Sequence, residues 1–286
     1  LLNLKELLIK EEIIVAPGCF DPLSAKIIEA IGFKSAYLGG WAVGAHLAVT
    51  EPLTTLTEMV DVSRRITSAT TIPLVVDAGS AFGHLPMVDR TVSGFEQANV
   101  AAIQLEDQVV PKRMHYHKGE IDLISTDEMM QKLERAVEVR KTKDFVIIAR
   151  TDAGRNKEEP FSKAIERANL YASSGADMVM VFPRNEEEMK LAPKEIDYPL
   201  VYVASEGLGR PIPTPEEARA LGYKMVIYPL TPVLSAFTQI KETYQTLMET
   251  GKSGFTAEQT SRLSKEIMDI ISIDELVSLE KSIKSN

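Results

Sequence analysis

Asp77, Glu106, Asp107 and Arg150 close three apolar runs, Pro73-Leu-Val-Val-Asp77, Ala101-Ala-Ile-Gln-Leu-Glu106-Asp107 and Phe145-Val-Ile-Ile-Ala-Arg150-Thr-Asp152. Such runs are the pattern of buried parallel strands, so charge at the same end of each predicts a shared site at that end. The three acids are hard oxygen donors, a set suited to Mg2+ held by one or two carboxylates with waters completing an octahedron, with Mn2+ as the alternative ion. A cation there would bind both oxygens of a 2-oxo or 2-hydroxy acid, polarise the carbonyl and stabilise an enolate. Arg150, one strand further on, offers a planar fork for a substrate carboxylate. The competing account is a structural ion-pair network in which these charges only neutralise one another.

Other chemistry-bearing residues carry weaker signals. His115 and His117 flank Tyr116 on a polar stretch, but two histidines at i,i+2 without further Cys or His nearby make a poor zinc site. A solvated or substrate-touching loop is the better reading. Cys19 in Pro17-Gly-Cys-Phe-Asp21 is a nucleophile candidate, against the commoner role of a small buried residue. Asp21 reads as a cap on a helix starting at Pro22. Trp41 is pocket wall or core, and His46 and His84 belong to no motif. Arg184, Glu206 and Arg210 follow strands six and seven, on the expected active face, with surface salt bridges as their alternative.

The elements that must position these groups alternate between strand and helix almost from end to end, which implies a parallel sheet with covering helices. Eight strands are expected near 13–16, 36–39, 73–77, 101–105, 145–150, 177–182, 199–204 and 225–228. Helices are expected between them, such as 22–31, 57–68 and one from about Met87. Eight units close into a (β/α)8 barrel, and no G-x-G-x-x-G or Walker pattern points to a doubly wound sheet instead. The barrel is expected over 1–250, followed by a helical tail over 251–286 that packs on its own or a neighbouring subunit. The stretch from Gln108 to Ser125, crowded with Lys112, Arg113, His115, His117 and Lys118, is a long connection of the kind that forms active-site lids.

Composition narrows the function classes. A hydrophobic fraction of 44% and a charged fraction of 26% suit a globular protein, and no run approaches the ~20 apolar residues of a membrane span. A net charge of -9 argues against nucleic acid as a partner, since phosphate neutralisation needs clustered Lys and Arg. A small anionic substrate remains compatible with it. No secretory signal is visible, and the single cysteine suits a reducing cytoplasm.

Several blocks, taken in order, resemble the isocitrate lyase and phosphoenolpyruvate mutase superfamily over roughly Ala16 to Leu230. They are Pro17-Gly-Cys-Phe-Asp-Pro-Leu-Ser-Ala25, Tyr37-Leu-Gly-Gly40, Leu56-Thr-Glu-Met59, Asp77-Ala-Gly-Ser-Ala-Phe-Gly83, Leu105-Glu-Asp-Gln108 with Pro111-Lys-Arg113, Ile148-Ala-Arg-Thr-Asp152, and Leu221-Gly-Tyr through Ile227-Tyr-Pro-Leu230. The resemblance implies a modified barrel whose last helix is exchanged between subunits, in a homotetramer or homodimer, and Mg2+ with enolate chemistry on a small carboxylate. It makes Asp77 the direct metal ligand, Glu106 a ligand through water, Arg150 the carboxylate binder and Glu206 a pocket glutamate. Tyr37, Gly39 and Gly40 would bring backbone N–H groups to the substrate, and Lys112 and Arg113 would belong to a gating loop.

Departures from the pattern bear on the reaction. Lyases of the isocitrate and methylisocitrate type carry Lys-Arg-Cys-Gly-His on the gating loop, with the thiol as acid and base, and here Met114 stands in place of that Cys. A thioether exchanges no proton, which leaves Tyr116, His115 or His117 as substitutes. Gly79 replaces the second aspartate of the family's Asp-x-Asp, with Glu51 as a candidate compensation, and Val203 replaces a pocket Asn. The phosphonomutase loop pattern is absent.

The expected activity is Mg2+-dependent carbon–carbon cleavage of a small 2-oxo or 2-hydroxy di- or tricarboxylate. Oxaloacetate decarboxylation is the leading example, because it needs an electron sink more than a thiol acid. A methylisocitrate or dimethylmalate type lyase using a loop His or Tyr is the runner-up. A phosphonate-forming or phosphonate-cleaving enzyme and a non-catalytic dicarboxylate-binding barrel complete the alternatives.

Overall fold

A computed structural model describes residues 3–207 and 209–283. The strands β1 (Ile14–Cys19), β2 (Ala36–Leu38), β3 (Leu74–Asp77), β4 (Ala102–Glu106), β5 (Val146–Arg150), β6 (Met178–Met180), β7 (Leu200–Val203) and β8 (Met225–Tyr228) close a parallel barrel in sequence order. The helices are α1 (Leu4–Lys10), α2 (Pro22–Ile31), α3 (Gly40–His46), α4 (Leu56–Ala69), α5 (Leu85–Gln97), α6 (Thr126–Val139), α7 (Ser162–Ser173), α8 (Glu186–Glu195), α9 (Pro215–Leu221), α10 (Thr231–Thr250), α11 (Ala257–Ile270) and α12 (Ile273–Ile283). The (β/α)8 expectation is met.

Local chemistry explains the boundaries. Asp21 caps α2 through a capping box with Ser24, its carboxylate accepting from Ser24 N–H at 2.7 Å, as expected. Capping boxes also start α4 at Thr55 and α9 at Thr214. Several boundaries shift from expectation, two of them with a plain local cause. β1 runs on to Cys19 because its last residues pair with Tyr37 and Leu38 of β2, so Cys19 ends the strand instead of following it. α5 starts at Leu85, earlier than Met87, since Pro86 is tolerated in a first helical turn that needs no N–H donor.

Alternation along the strands sorts the side chains into two layers. Leu74, Val76, Ile103, Leu105, Ile147 and Ala149 pack outward in the layer beneath the helices. Val75, Ala102, Val146 and Ile148 fill the barrel with Tyr37, Met178, Met180, Val201 and Ile227, joined by Leu4 and Leu7 of α1. The same period of two turns Asp77, Glu106 and Arg150 inward at the carboxyl ends. Register places Glu106 directly beside Arg150 and Asp77 beside Gln104.

The chain divides into two compact units, Leu1–Val233 with the barrel and Leu234–Asn286 with most of α10 and with α11 and α12. Within the second unit α11 packs on α12. Among the described residues no helix is long and apolar enough to cross a membrane.

Candidate active site

Asp77 is fixed by its own turn and by its neighbour strand. Its Oδ1 accepts from Gly79 N–H at 2.9 Å and from the Gln104 amide at 3.2 Å, and its Oδ2 faces Gly40 N–H at 3.4 Å. Gly79 has a φ of +51°, where a side chain is disfavoured, and its carbonyl accepts from Glu106 N–H at 2.9 Å. One glycine thus ties the carboxylate of Asp77 to the backbone of Glu106. Gln104 passes the connection on, accepting from the Tyr37 hydroxyl at 3.0 Å. The Gly40 N–H is therefore directed at Asp77, and Tyr37 enters the site through its phenol.

The turn after Asp77 is strained. Ala81 and Phe82 have φ of +65° and +54°, a left-handed conformation that costs non-glycine residues about 1–2 kcal/mol each. Lys132 of α6, buried beneath it, donates to the carbonyls of Ser80 at 3.2 Å and Gly83 at 3.0 Å, and Thr91 donates to that of Ala81 at 3.0 Å.

Arg150 is clamped from one side. Its Nε and one terminal nitrogen donate to the two oxygens of Asp152 at 2.7 and 3.0 Å, leaving the other terminal nitrogen 3.2 Å from Glu106 and 3.6 Å from Asp77. Burial would raise the Asp152 carboxyl, but Arg150 and Arg155 outweigh it and hold it below the usual range. Asp107 faces away from the cavity. It accepts from Thr151 at 2.7 Å, Asp152 N–H at 2.9 Å, Tyr171 at 2.9 Å and Arg167 at 3.1 Å, so it anchors the turn that aims Arg150.

Glu106 is the unusual group. Both its carboxylate oxygens are sealed from solvent and neither makes a hydrogen bond of acceptable geometry, although Lys112 at 2.9 Å and Arg150 at 3.2 Å lie within ion-pair reach. Burial pushes its carboxyl up to about 7 against the pull of those two cations, and burial likewise raises Asp77. Underused hard oxygens beside a second carboxylate fit a divalent cation. Two carboxylates with water and substrate completing the shell would suit Mg2+.

The long connection after β4 folds over this centre. Lys112 reaches in to Glu106 and to Glu51, and the Tyr116 hydroxyl donates to Glu51 at 3.2 Å. The ring of Tyr116 lies 4.2 Å from the Lys112 ammonium and 4.6 Å from the Arg155 guanidinium. Glu51 is buried, yet Lys112 overcomes the burial and keeps its carboxyl low. A cavity of about 500 Å3 is lined by Tyr37, Gly39, Gly40, Trp41, Glu51, Asp77, Tyr116, His117, Arg150, Arg155, Phe182, Val203 and Arg210, among others. A second, of about 410 Å3, shares Gly40, Glu51 and Asp77 and adds Glu106 and Lys112.

Not every expected residue is brought here. Arg113 is exposed, and Met114 is 49% exposed and lines neither cavity. His115 sits on the surface 2.9 Å from Asp122, and Glu206 is exposed, accepting from Thr231 at 3.1 Å. Asp122, in the same loop, draws His115 off, and Thr231 at the start of α10 draws off Glu206. Arg184 is spent on Glu188 and on the carbonyls of Asn156 and Glu159. His84 is exposed, His46 stacks at a tilt on Phe20, and Cys19 is buried with its thiol pushed up by that burial. Two residues escape the sequence reading. Gln104 is visible only through strand alternation, two positions before Glu106. Arg155 was legible as the cation closing Thr151-Asp-Ala-Gly-Arg155 after β5.

Comparison with known proteins adds kinship. The model of the family described as phosphoenolpyruvate phosphomutase matches residues 4–248. The chain is 38% identical to a 2-methylisocitrate lyase of Aeropyrum pernix over 87% of its length and 80% of the relative. It is also 38% identical to a 2,3-dimethylmalate lyase of Eubacterium barkeri, over 82% of its length and 81% of that protein. Among solved structures, an oxaloacetate acetylhydrolase in complex with the inhibitor 3,3-difluorooxalacetate superposes with a TM-score of 0.90 at 28% identity, covering 99% of this chain and 96% of that one.

Proposed function

The chain belongs to the phosphoenolpyruvate phosphomutase family, within the isocitrate lyase superfamily, and on that footing we propose that it cleaves a carbon–carbon bond in a small 2-oxo or 2-hydroxy di- or tricarboxylate with the help of Mg2+. Oxaloacetate decarboxylation is the leading example. The observation that carries this reading is the pairing of two buried carboxylates, Asp77 and Glu106, with an arginine whose free edge faces them both. Asp77 would hold the ion directly and Glu106 through water. When bound, Mg2+ supplies Lewis-acid polarisation of the 2-oxo oxygen and stabilises the enolate left by cleavage.

The remaining work falls to side chains. Arg150, immobilised by Asp152, orients a substrate carboxylate with little entropy left to lose. Lys112, Glu51 and Tyr116 close the cavity against water, which strengthens each electrostatic contact inside it. The names of the relatives, lyases of 2-methylisocitrate and 2,3-dimethylmalate, and the 28% identical oxaloacetate acetylhydrolase support substrates of this class. A second reading, retro-aldol cleavage, is favoured by one observation: the Tyr116 hydroxyl lies inside the cavity, where a proton donor is needed. Exposed Phe237, Tyr244 and Met248 on α10 and Leu279 on α12 support a homo-oligomer, and one buried thiol suits the cytoplasm.

The test is a screen of 2-oxo and 2-hydroxy di- and tricarboxylates with Mg2+, read by pyruvate or CO2 release. Turnover of at least one acid, abolished by Asp77→Ala, is expected. An Asp77→Ala protein as active as wild type would sink the proposal.

A further inference from the structure

Arg210 stands in the cavity without a counter-ion. Among the described residues it makes no hydrogen bond and no ion pair, although it is only partly exposed. Its guanidinium carbon lies 5.0 Å from the centre of the Phe182 ring, which Arg150 approaches at 4.7 Å and Arg155 at 5.7 Å. Three guanidinium groups therefore gather at one buried phenyl ring. Asp152 pairs with both Arg150 and Arg155, the latter at 3.3 Å, while Glu106 and Asp77 approach Arg150 alone of the three, so no carboxylate among the described residues pairs with Arg210. Burial draws the Arg210 pKa down to about 10, and Arg155 pushes the same way. The ring attracts all three cations, but this cannot remove their mutual repulsion in a cavity of low dielectric. An anion can.

Arg150 is already committed, held by Asp152 with its free edge toward Asp77 and Glu106. Arg155 has one terminal nitrogen on Asp152 and its face against Tyr116, and Arg210 has no hydrogen bond among the described residues. The cavity of about 500 Å3 that contains all three is roomy for a four-carbon acid. We propose that Arg210, assisted by Arg155, receives the second carboxylate of a dicarboxylate substrate whose 2-oxo or 2-hydroxy end lies at Asp77 and Arg150. Arg210 is thereby a specificity-determining residue that selects dicarboxylates over monocarboxylates. This rests on the 2-oxo or 2-hydroxy acid site proposed above and deepens it.

Two acids with the same four-carbon skeleton and the same 2-hydroxy head isolate the effect: malate, and 2-hydroxybutyrate, in which a methyl replaces the distal carboxylate. Calorimetric titration in the presence of Mg2+ is expected to show wild type binding malate at least about tenfold more tightly, the worth of a charge-assisted hydrogen bond. Arg210→Gln should bring the two affinities within about threefold of one another. Arg210→Lys should keep part of the preference, since an ammonium retains the charge without the fork. A preference that survives Arg210→Gln overturns the subsite, and so does a variant that weakens both acids alike, the mark of a structural role. Equal binding of both acids by wild type overturns the subsite and leaves the parent reading standing. Binding of neither acid overturns both.

Discussion

Lys112 places its ammonium 2.9 Å from Glu106 Oε1, against a carboxylate that is otherwise sealed and without a hydrogen bond. A side chain from the covering loop thus neutralises the same oxygens that a divalent cation would use. The two cations compete in a low-dielectric setting, where like charges at such distances repel strongly. Lys112→Met is therefore expected to bind Mg2+ about threefold to tenfold more tightly while turning over more slowly. Calorimetric titration with Mg2+ alone checks it, and unchanged or weaker binding would contradict the competition.

Tyr116 is the loop residue placed to move a proton, its hydroxyl 3.2 Å from Glu51 and its ring beside Lys112 and Arg155. His115 is not, being paired with Asp122 at the surface. If cleavage needs an acid, Tyr116→Phe should lower kcat about a hundredfold, the low end for general acid catalysis, while His115→Ala changes it by less than about threefold. Steady-state pyruvate release for each variant decides. A larger loss from His115→Ala than from Tyr116→Phe would reverse the assignment.

Much of this was legible in the chain. The strand ends at Asp77, Glu106 and Arg150 announce their convergence because a parallel barrel is apolar on both sides of each strand, so charge stands out. Strand alternation also determines that they face inward. The covering loop was harder, because His115 turns to Asp122 in its own loop, as Glu206 elsewhere turns to Thr231 after β8, choices that spacing does not encode. Arg155 and Arg210 illustrate the same limit from the other side. Their approach to Phe182 joins the loops after β5 and β7 to the end of β6, a contact that exists only once the barrel closes.

Asp152 links the site to stability. Arg150 and Arg155 prevail over burial and hold its carboxyl below the usual range. A depressed folded-state pKa gives stability that is fully present above the unfolded value, about 3.9, and is lost as pH falls toward the folded one. Asp152→Asn leaves Arg150 buried and short of its partner, at a cost of about 3–5 kcal/mol near neutrality. The gap to wild type should narrow as pH drops below about 4. Thermal unfolding between neutral and acid pH would show it, whereas a constant gap would mean that Asp152 acts through packing alone.

Lys132 supports Asp77 from below, through the carbonyls of Ser80 and Gly83 in the strained turn. Losing two charge-assisted bonds to buried carbonyls, Lys132→Met is expected to destabilise the fold by about 2–4 kcal/mol. Urea unfolding measures this directly. A loss too small to resolve would show that the turn holds its left-handed residues without the ammonium.

The central claim is metal-assisted cleavage at Asp77 and Glu106. Its most direct measurement is pyruvate formation from oxaloacetate by the purified chain, corrected for spontaneous decarboxylation, with Mg2+ and then with excess chelator. The account predicts turnover with the ion, its loss on chelation and its return when Mg2+ is restored. Undiminished turnover in excess chelator would contradict it.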